Sequence, residues 1–510
     1  MRGISGKFIG LGVGLLFFVV LLLIPLPAGM SEEARRTAAI TLLVAVWWIT
    51  EAIPIPATSL LPFLLFPILG VIPSGDVSRL YYDQNIFLFM GGFFIAIAME
   101  KWNLHKRVAL RVVKTTGTNP VMLVLGFLCA STFLSMWISN TATTLMLLPI
   151  GLAVIGRLTG EVPGEEPAAA PSAPAITMLL AIAYGASLGG IATPIGTPPN
   201  IIFIGQFGKL FPSAPPITFA DWIKVFLPLT AVFVPIAWLL LTKVTAKVGS
   251  EKNASDTRGL IEDELRKLGR FSPGEKIVFV LFVSTALLWI FSKPIELGFF
   301  TLPGWHALLP EKITGYIHDS TVAVFIALLM FILPVPKRGG ERVLSWADAR
   351  KIPWGVLLLF GAGFAIADAF QKSGLSAYLG SLLTALASVP PFVMVLLICL
   401  LITFLTEITS NTATAAVMLP IIASLSLTIG VNPLLLMLPA TISASFAFML
   451  PVATPPNAVV FGSGLVPIRK MVIAGLYMNL IGAALIAAVI YLVAIYVWDI
   501  DPSALPDWAR

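Results

Sequence analysis

The chain has 510 residues, 58% of them hydrophobic and 11% charged, with a mean hydropathy of +0.95. A soluble chain of this size needs a polar exterior that so few charges cannot supply, so composition excludes a soluble globular protein and indicates an all-α polytopic membrane protein. The formal charge of +6 does not imply a nucleic-acid partner, because the basic residues sit in short stretches between apolar runs, where they orient the chain in a bilayer.

Cys129 and Cys399 both lie in apolar runs and have neither metal-ligand spacing nor a disulfide framework. His105, His306 and His318 are scattered. There is no P-loop, no dinucleotide fingerprint and no nucleophile–base pair, which argues against an ATP-driven pump within this chain and against an enzyme. The first apolar run, Phe8 to Ile24, follows Arg2 and Lys7 without a small-residue cleavage site and reads as a retained helix.

Spans are expected at about 8–25, 37–52, 54–72 and 86–99, followed by a basic loop at 101–114. Trp47-Trp48-Ile49-Thr50-Glu51-Ala52-Ile53-Pro54-Ile55-Pro56 joins the second and third, with Glu51 a candidate intramembrane carboxylate or a helix-end cap. The run Val121–Gly156 is too long for one crossing and short for two, so a re-entrant helical hairpin fits it best. Ser139-Asn140-Thr141-Ala142-Thr143 would form its tip. After a flexible linker at Glu161–Pro167, a helix from about Ile176 breaks at Thr193-Pro194-Ile195-Gly196-Thr197-Pro198-Pro199-Asn200. A span at 222–241 follows. Residues 243–276 read as a polar linker with a short amphipathic helix on the membrane surface, its apolar positions being Ile261, Leu265 and Leu268.

The second half repeats the first. Spans at about 277–292, 320–334 and 353–370, the last two separated by a basic loop at 337–351, lead to a long apolar run at 391–429. That run carries Ser410-Asn411-Thr412-Ala413-Thr414, 271 residues after the first copy. At the same offset Gly92, Phe93, Ile95 and Lys101 match Gly363, Phe364, Ile366 and Lys372. The break Ala453-Thr454-Pro455-Pro456-Asn457 lies 257 residues after its counterpart, as expected if Glu161–Pro174 is an insertion. The last span is about 472–498.

With the N-terminus in the cytoplasm and the C-terminus outside, 23 of the 32 lysines and arginines fall on the inner side. This assignment makes the repeats inverted, a recurring secondary-transporter design with binding at the midplane. The tips and breaks offer hydroxyls, amides and free carbonyls, whose oxygens suit Na+, and helix N-termini, which suit an anion. Neither motif region contains Lys or Arg, which favours coupling anion entry to bound Na+.

The paired Ser-Asn-Thr motifs, the paired Thr-Pro-Pro-Asn breaks, the Trp48–Pro56 stretch and Ala444–Val460 together resemble the divalent anion/sodium symporter family. The resemblance covers nearly the whole chain. It implies a dicarboxylate transporter with about eleven transmembrane helices, working as a homodimer in the plasma (inner) membrane by an elevator mechanism. The chain would divide into N-terminal scaffold helices (1–85), a first transport repeat of span, inner hairpin and broken helix (86–220), and scaffold helices including the 243–276 linker (221–352). A second transport repeat with an outer hairpin (353–470) and the last helix with the C-terminus (471–510) complete it. One Na+ site would use Ser135, Ser139, Asn140 and Gly196, and the other Thr406, Thr409, Ser410, Asn411 and Ala453. Substrate carboxylates would meet Asn140, Thr141, Asn411, Thr412, Thr454 and Pro455. No organic cofactor is implied. Glu407, where the first repeat has Met136, and Asp368, where it has Ile97, are left open between structural and functional roles. A Na+-independent exchanger, a sulfate or citrate transporter, and an anion channel are the competing readings.

Overall fold

A computed structural model describes residues 2–117, 119–159, 171–246, 248, 254–296, 301–382, 389–502 and 504–509. The predicted linker at Glu161–Pro167 lies outside them. The described chain is almost wholly helical, its one sheet a two-stranded ladder pairing Ile295–Glu296 with Thr301–Leu302. Among the described residues, eight helices are long and apolar enough to cross a membrane, and further apolar helices are shorter.

The first repeat begins with a unit helix, Gln84–Lys101, capped by the Asp83 carboxylate, which accepts from the Asn85 backbone N–H. It ends in a left-handed turn at Asn103 (φ 57°). The second unit helix, Trp354–Lys372, ends the same way at Gly374 (φ 76°), 271 residues further on. The predicted hairpins are both present: Pro120–Ser135 with Asn140–Thr159, and Pro391–Thr406 with Asn411–Ile429. A 16-residue arm is about 24 Å long, short of the ~30 Å hydrocarbon core. Both broken helices are present as Ala173–Gly190 with Pro198–Leu210, and Pro433–Ser443 with Pro455–Phe461. In each pair the proline at the first position of the second piece cannot accept the helix from upstream but starts it without losing a hydrogen bond.

The first pieces of the broken helices form the centre of the core, with Ala175–Gly190 and Pro433–Ser443 buried throughout. Gly185 and Gly189 let Ala173–Gly190 lie directly on the first hairpin arm. A Cβ on Gly185 would stand 2.7 Å from the Leu128 carbonyl oxygen, and one on Gly189 would collide with that of Thr132. Ser131 Oγ donates to the Ile182 carbonyl across the same seam at 2.6 Å. Small residues at such a spacing are the usual device for close helix approach where apolar burial gives no net drive.

Three expectations are corrected. The basic stretch 101–114 is a helix, Leu104–Thr116, whose apolar residues Leu104, Ala109, Leu110 and Val113 are buried while its cations mask the periodicity. The amphipathic helix Ala254–Lys267 packs on that helix rather than lying free on a membrane surface. Ile261 is buried, and Lys106–Glu264 (3.2 Å) and Lys114–Glu262 (3.0 Å) bridge the two. A buried Arg107 pairs with Glu275 at 2.7 Å and also donates to the Leu268 and Gly269 carbonyls. The expected third span is two short helices, Ile55–Thr58 and Leu61–Ile68, because Pro56 and Pro62 fit only the first turn of a helix.

Candidate functional site

Each hairpin tip is organised by its asparagine. Ser135 Oγ donates to Asn140 Oδ1 at 2.7 Å. At the equivalent position Thr406 Oγ1 stands 2.7 Å from Asn411 Oδ1, and also 2.9 Å from the Ala444 carbonyl. The breaks repeat a second bond set. Asn200 Nδ2 donates to the Gly190 and Thr193 carbonyls at 3.0 and 2.8 Å, and Asn457 Nδ2 to those of Ala447 and Leu450, both at 3.1 Å. These carbonyls lie at or within the breaks, and those of Thr193 and Leu450 also accept from the Gly196 and Ala453 backbone N–H groups. Two carbonyl partners also fix which end of each amide is nitrogen.

Tip and break are then braced differently in the two halves. In the first, Thr193 Oγ1 donates to the Met136 carbonyl at 2.5 Å. In the second, Glu407 occupies the position aligned with Met136 and accepts from the backbone N–H groups of Phe448, Met449 and Leu450 at 2.8, 2.9 and 3.1 Å. Its Oε1 also accepts from Asn479 Nδ2 at 2.7 Å. Glu407 is therefore a structural brace, joining the second tip to its break and to the last long helix, Ile468–Val489. Asp368 meets Lys372 at 2.9 Å within its own helix and is not among the residues lining the cavity.

Both tips and both breaks open on one cavity of about 950 Å³. Ser139, Asn140, Thr141, Gly196, Thr409, Ser410, Asn411, Thr412, Ala453, Thr454 and Pro455 all line it. Ser135 and Thr406 do not; they are fully buried behind the tip asparagines. The Thr409 hydroxyl is already engaged by the Leu405 carbonyl at 2.8 Å and by Thr414 at 2.6 Å. Helices Asn140–Thr159, Asn411–Ile429 and Pro198–Leu210 all start at lining residues, as does the shorter Pro455–Phe461. Their positive ends therefore meet at the same place. The two break helices begin Pro-Pro-Asn, whose prolines have no N–H and whose Asn200 and Asn457 N–H groups are bonded to Thr197 and Thr454, so those ends act through their dipoles. Sequence reasoning missed the opposite wall, made of Lys7, Trp48, Phe89, Phe93, Pro353 and Val356. Only Glu51 of that wall carried a signal, as an isolated carboxylate beside a proline break.

A model described as the sodium:sulfate symporter transmembrane region matches residues 5–499. The chain belongs to this symporter family. It is 42% identical over 497 residues to the sodium-dependent dicarboxylate transporter SdcS of Staphylococcus saprophyticus, covering 97% of this chain and 93% of that protein. It is equally similar, over 498 residues, to the protein of the same name in Staphylococcus aureus strain RF122, covering 98% of this chain and 93% of that one. Two solved structures share the fold at lower identity. The YdaH transporter of Alcanivorax borkumensis has a TM-score of 0.56 at 16% identity, over 85% of this chain and 89% of that one. Neisseria gonorrhoeae MtrF has a TM-score of 0.56 at 14% identity, over 95% of this chain and 96% of that one.

In this symporter fold the first break is the tighter of the two. A Cβ on Gly196 would stand 2.5 Å from the Gly190 carbonyl oxygen and 3.0 Å from Gly190 Cα, both backbone atoms that cannot rotate away. One on Gly190 would stand 2.8 Å from Asn140 Oδ1. The second break has Ala447 and Ala453 at the matching positions, so its backbone is more open. Gly196→Ala should lower transport by about tenfold or more, the effect of a displaced site backbone costing ~1–3 kcal/mol. Ala453→Gly should change it less than threefold. Initial uptake rates at matched protein levels check the contrast.

Proposed function

We propose that the chain is a secondary active transporter that imports C4 dicarboxylates such as succinate, malate or fumarate, coupled to Na+. The observation that carries the reading is the convergence of helix N-termini from both repeats on a cavity whose tip and break regions hold no cation. Such ends bind carboxylates through N–H donors and dipoles, and two groups of them suit the two ends of a dianion. Asn140 and Thr141 would take one carboxylate, and Asn411, Thr412, Thr454 and Pro455 the other.

Na+ would sit where oxygens collect beside each tip. Ser135, Ser139, Asn140 and Gly196 would form one site, and Thr406, Thr409, Ser410, Asn411 and Ala453 the second. The Ser135–Asn140 and Thr406–Asn411 contacts support this, since each already holds two uncharged oxygens together next to a break. Hydroxyl, amide and carbonyl oxygens are the ligands that broken-helix transporters use for Na+. The matching bond sets at constant offsets support two related transport units moving together. We take these as inverted repeats that travel by an elevator motion against scaffold helices. The protein would be a plasma-membrane homodimer with its N-terminus in the cytoplasm.

In proteoliposomes, succinate uptake should require an inward Na+ gradient and be inhibited by unlabelled malate and fumarate. Uptake indifferent to Na+ but driven by internal dicarboxylate would identify an exchanger. Competition by sulfate or citrate in place of the C4 acids would move the substrate class.

A further inference from the structure

Among the described residues, the cavity has two charged lining groups, and both come from the wall opposite the motifs: Lys7 and Glu51. Neither has an ion-pair partner among the described residues. Their placement is built into the packing of the first two long helices, Arg2–Leu23 and Glu32–Thr50. Gly10 lies against the Thr50 side chain so closely that a Cβ there would clash with it. Gly14 faces the Trp47 ring, with a hypothetical Cβ 2.5 Å from Nε1, and Trp47 Nε1 donates to the Leu11 carbonyl at 3.3 Å. Lys7 is about one turn before Gly10, and Glu51 follows Thr50 in a left-handed conformation (φ 46°) that ends its helix. The close seam therefore delivers one cation and one anion to the same end of the cavity.

We propose that Lys7 is an affinity-determining residue for the dianion on the face of the membrane that carries the N-terminus, with Glu51 as its opposing charge. The inference rests on the dicarboxylate reading above. A dianion held by neutral donors is drawn by an unpaired cation at the mouth, and because Lys7 and Glu51 are both exposed, salt screens that attraction. Lys7 and Glu51 both line the cavity in the conformation described. When the motifs face the opposite side, the first helix and its lysine no longer border the bound substrate, so the effect is one-sided.

The test uses the full-length protein in proteoliposomes of determined orientation, with equal Na+ on both sides, and measures the half-saturating succinate concentration for exchange from each face. Lys7→Ala should raise that value on the N-terminal face by roughly three- to tenfold, and Glu51→Gln should lower it by a similar factor. Lys7→Arg should keep the wild-type value, and added inert salt should weaken wild-type affinity on this face only. Opposite signs from the two charge removals are a signature that loss of packing does not produce. An unchanged half-saturation in Lys7→Ala, a shift equal on both faces, or the same sign for both variants would overturn the proposal. Wild-type exchange in the same vesicles tests the dicarboxylate reading separately.

Discussion

Asn140→Ala and Asn411→Ala should each reduce Na+-driven succinate uptake by more than ~100-fold while the protein still purifies as a folded species. Each tip asparagine lines the cavity at the start of a helix, and each is proposed to meet both a carboxylate and a cation. Hydrogen bonds to charged groups contribute about 1.5–3 kcal/mol, so losing two of them costs ~3–6 kcal/mol of binding, enough for the stated loss. The cost to folding is smaller. Alanine strands one hydroxyl donor, Ser135 Oγ or Thr406 Oγ1, and the latter still has the Ala444 carbonyl at 2.9 Å. Uptake and thermal unfolding measured on the same preparations separate the two effects. Near-normal uptake by either variant would remove the tips from the site. Ser135→Ala tests the layer behind the tip, and its effect should be milder, because the hydroxyl is fully buried and is not among the residues lining the cavity.

The parts of this site that could be read from sequence are those where polar residues interrupt an apolar run. Ser139-Asn140-Thr141 and Ser410-Asn411-Thr412 stand out because a hydroxyl or amide in hydrocarbon needs a reason, and their repetition at 271 residues supplies one. The prolines at 198, 199, 455 and 456 stop a helix by sterics alone, so the breaks were equally legible. What sequence could not show is contact between distant elements. Lys7 reaches the cavity only through the seam of Gly10 on Thr50, and nothing local to Lys7 records that. The sequence at Leu104–Thr116 resembles a loop because cations dominate the stretch. Its buried ion pair lies with Glu275, 168 residues away. The helix at 254–267 showed its apolar face clearly, but not that another helix rather than lipid covers it.

The two halves differ most where Glu407 replaces Met136, and this difference makes the other large prediction. Glu407→Ala should destabilise the protein by about 3–5 kcal/mol, since the N–H groups of Phe448, Met449 and Leu450 and the Asn479 amide lose a shared acceptor. Each stranded buried donor costs ~1–3 kcal/mol, and water from the adjoining cavity relieves part of the sum. Glu407→Gln should fall between: its carbonyl oxygen can still accept from Phe448 and Met449, but its NH2 faces the Leu450 N–H, donor against donor. Thermal unfolding in detergent should therefore rank wild type above glutamine and glutamine above alanine. Uptake should follow the same order, because the braced segment leads directly into Ala453, Thr454 and Pro455 at the cavity. Met136→Ala should have little effect on either measure, as the first half is braced through the Met136 backbone carbonyl, which the substitution keeps. If Glu407→Ala unfolded at the wild-type temperature but lost uptake, the carboxylate would belong to the transport chemistry rather than to the frame that holds it.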